Sequence, residues 1–388
     1  DRDSFEKSIS LTTKKKVLIN SKYNQLKLID LSILLKRGKS AKYGKSKIQI
    51  IKSGQARGWF DFDFSEKHYV DETFVVDERK LVRGDLLINS TGVGTAGRVT
   101  YFNEDGDFVV DSHITIFRPN QNLILPEYAL CVLGAIGFDY IENMAVGQSG
   151  QIELSLDIIG NIKIPVPPID IQKQIVEEIA KVDKSVSDSM LRIDECETYI
   201  ESVLSSLNFA DSTLNTIAPF ATKTIKYSDI EPEAYITTDN MLQNKLGVLP
   251  FEGVANISSI TEYKPEDILI SNIRPYLKKI WFADKEGGCS KDVLVLRSPD
   301  TGEYLPKYIF YMLRRDSFFD YVMEGKKGIK MPRGNKDDIM KYKIPMPHID
   351  EQRRIIAQIE ALELEITEAR TLIENAASEK QAILDKYL

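Results

Sequence analysis

Apolar residues recur at alternating steps of three and four over two long stretches of this 388-residue chain. In the first they fall at Ile175, Ile179, Val182, Val186, Met190, Ile193, Cys196, Ile200, Val203 and Leu207. In the second, Ile355, Ile359, Leu362, Ile366, Ile373, Ala376, Ile383 and Tyr387 keep the same register 180 residues on. Such steps predict helices with the narrow apolar seam of a coiled coil. Each run of about 35 residues spans roughly 50 Å. Asp170 and Asp350 are expected as N-caps, accepting the first free helix N–H groups.

The segment leading into each helix is an internal repeat. Ile164-Pro165-Val166-Pro167-Pro168-Ile169-Asp170-Ile171-Gln172-Lys173-Gln174-Ile175 recurs as Ile344-Pro345-Met346-Pro347-His348-Ile349-Asp350-Glu351-Gln352-Arg353-Arg354-Ile355. A period this long marks a duplicated domain pair, not a stacked solenoid. Weaker matches lie upstream. Asp85–Ser90 (DLLINS) resembles Asp267–Asn272 (DILISN), Leu125–Tyr128 (LPEY) resembles Leu305–Tyr308 (LPKY), and Phe138–Ile141 (FDYI) resembles Phe319–Val322 (FDYV). The Leu-Pro pairs predict helices with proline in the first turn.

Strand-like runs are Ile48–Ile51, Thr73–Val76, Arg98–Phe102 and Ile114–Phe117 in the first half, and Lys279–Phe282 and Val293–Arg297 in the second. The expected fold class is α+β: two mixed α/β globules of about 140 residues, separated by two long helices. The expected organisation is an extension or linker at 1–22, a globule at 23–166, a helix at 167–208, a second globule at 209–346 and a second helix at 347–388. Two equal seams in one chain favour pairing with each other, and a pseudo-twofold relation makes that pair an antiparallel coiled coil. The alternative is that each helix packs only on its own globule.

Composition narrows the function classes. Hydrophobic residues make up 43% and charged residues 28%, which excludes wholesale disorder. The apolar runs are far shorter than the ~18 residues of a membrane span. Cys131, Cys196 and Cys289 are few, distant and free of CxxC spacing, which favours a cytoplasmic setting over a disulfide framework or a zinc site. The chain opens without Met on a polar stretch with no apolar signal core. It is therefore expected to be either a tagged product or part of a longer polypeptide. The net charge of −7 is unevenly distributed. Residues 170–201 carry 4 basic and 9 acidic side chains and residues 350–388 carry 5 and 9, leaving the remainder at +2. Acidity on the helices suits protein partners, and mildly basic globules suit nucleic acid.

DNA contact requires cations for phosphates and polar side chains for base edges. Lys36–Lys52 holds seven cations and no carboxylate, among them Lys42, Lys45 and Lys47. Gln55, Arg57 and Trp59 follow as candidate base reader, guanidinium fork and stacking ring, with core packing the alternative for Trp59. Ser90, Thr91 and Thr95 sit in the glycine-rich Ser90–Arg98, which lacks the spacing of a nucleotide-binding loop and is expected as a turn whose hydroxyls face DNA. Its counterpart supplies Asn272, Arg274, Tyr276, Lys278 and Lys279, with Arg274 expected on a guanine edge and the two lysines on phosphates. Lys326, Lys327 and Lys330 form a basic loop before the second helix, matched in the first half by polar, uncharged Gly147–Gln151, which includes Gln148. The segments differ between halves, suggesting two related sites that read different things.

The chain holds no Asn/Asp-Pro-Pro-Phe/Tyr motif for gripping a flipped adenine. Glu78-Arg79-Lys80 and Glu262-Tyr263-Lys264 have nuclease-like E-x-K spacing but no convincing Pro-Asp upstream, and the three histidines lack a paired nucleophile or ligand spacing. No catalytic or metal residue is expected.

The doubled Ile-Pro-x-Pro-x-Ile-Asp-x-Gln-x-x-Ile motif and the strand before it resemble the specificity subunit of type I restriction–modification systems, over about residues 23–388. The resemblance implies two target recognition domains reading a split, asymmetric double-stranded DNA site. Half-sites on one face lie ~34 Å apart, within reach of the helix pair. It also implies that adenine methyltransferase subunits dock on the helices, with a restriction subunit as a further partner. S-adenosylmethionine and Mg²⁺ then belong to those partners and none is bound here. Lys16–Tyr23 (KVLINSKY) also resembles the junction of fused methyltransferase–specificity proteins, so the chain is alternatively the C-terminal specificity part of a single-chain methyltransferase–endonuclease. A coiled-coil scaffold whose end domains bind proteins is the reading from another class.

Overall fold

The structure, a computed structural model, describes residues 21–388 apart from 149, 150, 254–256, 300, 301 and 329. Most of the predicted extension 1–22 therefore lies outside the described residues. Two compact units form: the chain through Met190 together with Arg370–Leu388, and Leu191–Ala369.

In the first unit, β1 (Ser32–Arg37), β2 (Leu86–Asn89), β3 (Val99–Tyr101) and β4 (Ile114–Pro119) make an antiparallel sheet in the order β1-β4-β2-β3. All of β2 is buried, as expected of an apolar run covered on both faces. Leu86 and Ile88 pack with helix α1 (Pro126–Ile136), whereas Leu87 joins Ala56, Phe102 and Ile116 on the other side. Thr73–Val76 is not a strand. Asp71 Oδ1 takes the N–H and hydroxyl of Thr73, closing a turn that leaves Val75 exposed. Helix α2 (Ile169–Ser205) follows.

The second unit repeats the centre of this plan. Its β5 (Ile268–Ser271), β6 (Ile280–Phe282) and β7 (Val293–Leu296) pair antiparallel as β6-β5-β7, matching β3-β2-β4. The place of β1 is reduced to a bridge between Phe220 and Leu296. Helices α3 (Pro306–Leu313) and α4 (Asp316–Glu324) cover the face bearing Ile268 and Ile270, and α5 (Ile349–Tyr387) completes the described chain.

Three devices occur once in each unit. Asp85 is fully buried and takes both arms of Arg118 (2.7 and 2.8 Å) plus the Val82 N–H (2.9 Å). Asp267 does the same with Arg297 (2.8 and 2.6 Å) and the Lys264 N–H (2.7 Å). The Tyr128 hydroxyl donates to Pro165 O (2.9 Å), and that of Tyr308 to Pro345 O (2.7 Å). Finally, the repeat's glutamines are buried clamps. Gln172 accepts from Leu125 N–H and donates to Leu123 O and Pro167 O; Gln352 accepts from Leu305 N–H and donates to Glu303 O and Pro347 O. Each clamp ties the start of a long helix to the start of the Leu-Pro helix.

Asp170 and Asp350 are not the N-caps. Pro168 O and His348 O already accept the first turn's N–H groups, so both aspartates lie inside that turn, where their charge favours the helix N-terminus. The seam is also corrected at one position. Met190 is 39% exposed while Ser189 is 6% exposed, so Val182, Ser189 and Cys196 keep the heptad. Within the first unit, Glu178 of α2 meets Lys386 (2.8 Å) and Tyr387 (2.7 Å) of α5, and Asp183 meets Lys380. Within the second, Arg192 meets Glu365, and Gln358 donates to the Tyr199 hydroxyl (3.0 Å). One number falls as the other rises, so the paired segments run antiparallel in each unit.

Candidate nucleic-acid interface

Each unit presents a rim where the loop after its central strand meets a short hairpin. In the first, Ser90 N–H donates to His113 O (2.8 Å), Leu154 N–H to Ser90 O (2.8 Å) and Gly92 N–H to Ile152 O (3.3 Å). In the second, Asn272 N–H donates to Asp292 O (2.8 Å), Gly334 N–H to Asn272 O (3.2 Å) and Arg274 N–H to Pro332 O (2.8 Å). The hairpin strands Val146–Gln148 and Gln151–Glu153 thus take the place filled in the second unit by the Lys327–Arg333 bridge.

What this shared backbone carries differs. Thr91 Oγ1 lies 2.7 Å from His113 Nδ1 in the first unit, where the guanidiniums of Arg37 and Arg98 are turned onto the backbone of the rim, at Leu154 O and Gly94 O (both 2.7 Å). In the second, Arg274 and Tyr276 are exposed, Lys326, Lys327 and Lys330 are exposed with no ion pair among the described residues, and Arg333 pairs with Asp292 (3.2 Å). The Asn272 amide is buried, with no partner for Oδ1. Gly92 and Gly97 bend the first loop with φ of 93° and 85°. Arg274 and Lys278 bend the second with φ of 49° and 51°. Left-handed backbone costs a residue with a Cβ roughly 1–2 kcal/mol, so two cations occupy corners where the other unit uses glycine.

Beside the first rim lies an open cleft of about 610 Å³, bordered by Tyr43, Lys52, His68, Asp111 and His113. The Lys52 ammonium sits 4.7 Å from the Tyr43 ring, which faces His68 at 5.6 Å. Lys42, Lys45 and Lys47 are exposed on the same loop and enter no ion pair among the described residues, whereas Lys36, Arg37 and Lys39 pair with Glu78, Glu153 and Asp77. Burial pushes the Asp111 carboxyl above its ordinary range.

Several predicted contacts also have partners within the protein, though Arg57 and Trp59 remain exposed. Gln55 is a loop staple: its oxygen accepts from Lys52 N–H and its nitrogen donates to Asp63 O and Glu66 O. Arg57 pairs with Asp63, whose carboxyl is held down at about 2 by hydrogen bonds from Ser65 and Arg57. Trp59 packs on Phe138 (5.3 Å) with the Lys380 ammonium 5.2 Å from its ring, and a Cβ on Gly134 would fall 2.0 Å from the indole. Ser90 is buried against Thr115 (2.7 Å), and the Thr95 hydroxyl donates back to its own turn. Lys278 pairs with Asp316 (2.8 Å), and Lys279 donates to Thr238 O (2.6 Å). The Gln148 side chain lies outside the described residues, as do Ser149 and Gly150 of its loop.

The E-x-K triplets are tied up in ion pairs: Glu78 with Lys36, Lys80 with Asp107 and Glu262 with Lys223. Burial pushes the Cys131 and Cys289 thiols up to about 12. Among the described residues no cluster of three His, Cys, Asp or Glu could hold a metal ion, and no helix is long and apolar enough to cross a membrane.

This arrangement has relatives. The chain is 24% identical over 92% of its length to the MjaX specificity subunit of a type I restriction enzyme from Methanocaldococcus jannaschii, covering 88% of that protein. A shorter match to the EcoDI specificity subunit of Escherichia coli is 29% identical, over 26% of this chain and 22% of the other. Among solved structures, the S subunit of a type I restriction–modification system from M. genitalium aligns with TM-score 0.57 at 13% identity, covering 97% of this chain and 99% of that one. A chain from a study of complex assembly and conformational transition of the type I system aligns with TM-score 0.55 at 16% identity, over 94% and 97%. The family model described as the type I restriction modification DNA specificity domain matches residues 11–193 and 226–375, most of the chain, which therefore belongs to that family.

Proposed function

We propose that this chain chooses the DNA target of a type I restriction–modification system by reading an asymmetric, two-part duplex site, one part with each unit. The observation that carries this reading is the pair of rims: the same backbone hydrogen bonds support Thr91 and His113 in one unit and Arg274, Lys327 and Arg333 in the other. A guanidinium reads a guanine edge bidentately, whereas hydroxyl and imidazole groups serve other edges, so unlike rims select unlike bases. Lys42, Lys45 and Lys47 near one rim and Lys326, Lys327 and Lys330 at the other supply sequence-independent phosphate attraction.

The chain contributes no bond-making chemistry in this reading. Adenine methyltransferase and restriction components bring S-adenosylmethionine and Mg²⁺, and the helices provide their docking faces. A free cytoplasmic subunit and the specificity region of a fused enzyme perform this role alike. Selecting duplexes from a random pool with the full chain, alone and with methyltransferase subunits, tests it. Two conserved blocks at a fixed gap are expected; enrichment of no split motif under either condition overturns it.

A further inference from the structure

The second unit's reading turn is strained, and one carboxylate holds it. Arg274 and Lys278 flank a single 3₁₀ turn, Pro275–Leu277, and both adopt left-handed backbone. Packed against it is a second left-handed turn, where Asn244 (φ 55°) donates its N–H to Leu277 O (2.9 Å) and Lys245 (φ 64°) to Lys278 O (2.9 Å). Four of the six non-glycine residues with positive φ among the described residues thus belong to this pair of turns. Both lysine side chains converge on Asp316, the first residue of α4: Lys245 on Oδ1 and Lys278 on Oδ2 (2.8 Å). The Arg274 side chain has no such tether; it is exposed and enters no ion pair or hydrogen bond among the described residues. Its backbone is committed while its guanidinium stays available, which suits a reading group held in a fixed attitude.

We propose that Asp316 is a positioning residue for base reading: by binding Lys245 and Lys278 together, it latches the two turns and fixes the direction in which Arg274 is presented. The inference rests on the reading proposed above, in which Arg274 contacts bases.

The test uses the full chain, a selected duplex and its single-base variants. Asp316→Asn keeps the side chain's size and removes the charge that holds both lysines. Discrimination at the half-site read by Arg274 should fall about tenfold, the other half-site staying unchanged. In an Arg274→Ala background, Asp316→Asn should add no further loss, because the residue acts through Arg274. Lys278→Gly, which suits the left-handed corner but loses one arm of the latch, should show the same half-site loss if Asp316→Asn does not fold. Unchanged discrimination in the folded variants, an equal loss in both half-sites, or additivity with Arg274→Ala overturns the latch. Were Arg274→Ala itself without effect on either half-site, the base-reading assignment would fall instead, so the two failures are distinguishable.

Discussion

The two units build the same central sheet, clamp and buried ion pair, yet finish them with different rims. Where the first unit turns its loop on Gly92 and Gly97, the second turns on Arg274 and Lys278. The lesson is one of division: interior residues preserve backbone register, and the loops that register supports are free to carry other chemistry. Perturbing interior residues should therefore hurt both units alike, and perturbing rim residues should hurt one half-site only.

The largest effect is expected from the buried ion pairs. Asp85→Ala and Asp267→Ala each remove the buried carboxylate from a partly exposed guanidinium and leave a loop N–H unpaired, so each should cost about 3 kcal/mol in denaturant unfolding. A loss in one unit alone would undo the claim of a common scaffold. Next come the corners. Gly97→Ala places a Cβ 2.5 Å from Phe138 O and 2.7 Å from Glu142 N, backbone atoms that cannot swing aside, and should cost about 3 kcal/mol. At the matching corner Lys278→Gly relieves left-handed strain, so its stability should change by less than about 1 kcal/mol despite the lost ion pair. A penalty for Lys278→Gly as large as that for Gly97→Ala would show that the Lys278 side chain, and not relief of its left-handed backbone, decides the stability of that corner.

Gln172→Ala and Gln352→Ala each remove a side chain bonded three ways, and about 2 kcal/mol is expected from either, read as a lowered unfolding midpoint. The smallest effect belongs to the surface lysines. Neutralising Lys42, Lys45 and Lys47 to Gln should weaken all duplexes alike and flatten the dependence of log K on log salt by about 0.9 per lost phosphate contact. Loss of preference for particular bases would instead make them readers.

Much of the frame was legible in the chain. A gapless repeat and two matched seams announced a duplicated α+β unit with long helices, because 3.5-residue spacing and a doubled proline-rich lead-in have few other physical solutions. Register inside the seam was harder. Met190 has the hydrophobicity expected of a seam residue, yet the heptad steps through Val182, Ser189 and Cys196 fall one residue earlier, on a small polar side chain. The Gln172 and Gln352 clamps stood in plain view within the motif but gave no signal, since their role depends on backbone groups nearly fifty residues away.

The rim was legible only as a set of loops. Composition marks Lys278, Lys279, Gln55 and Arg57 as contacts, whereas the partners each has within the protein depend on neighbours brought in by folding: Asp316, Thr238 O, Glu66 O and Asp63. Arg274 emerges with its guanidinium free, and its left-handed backbone could not be anticipated from residue type, which argues against that conformation.

Binding-site selection from a random duplex pool, run in parallel on the unaltered chain and on Arg274→Ala, tests the central claim most directly. The account predicts two unlike sequence blocks at a fixed gap for the unaltered chain, and for the variant the same gap with one block blurred at a guanine and the other intact. Two identical inverted blocks, or a variant that blurs both blocks equally, would contradict it.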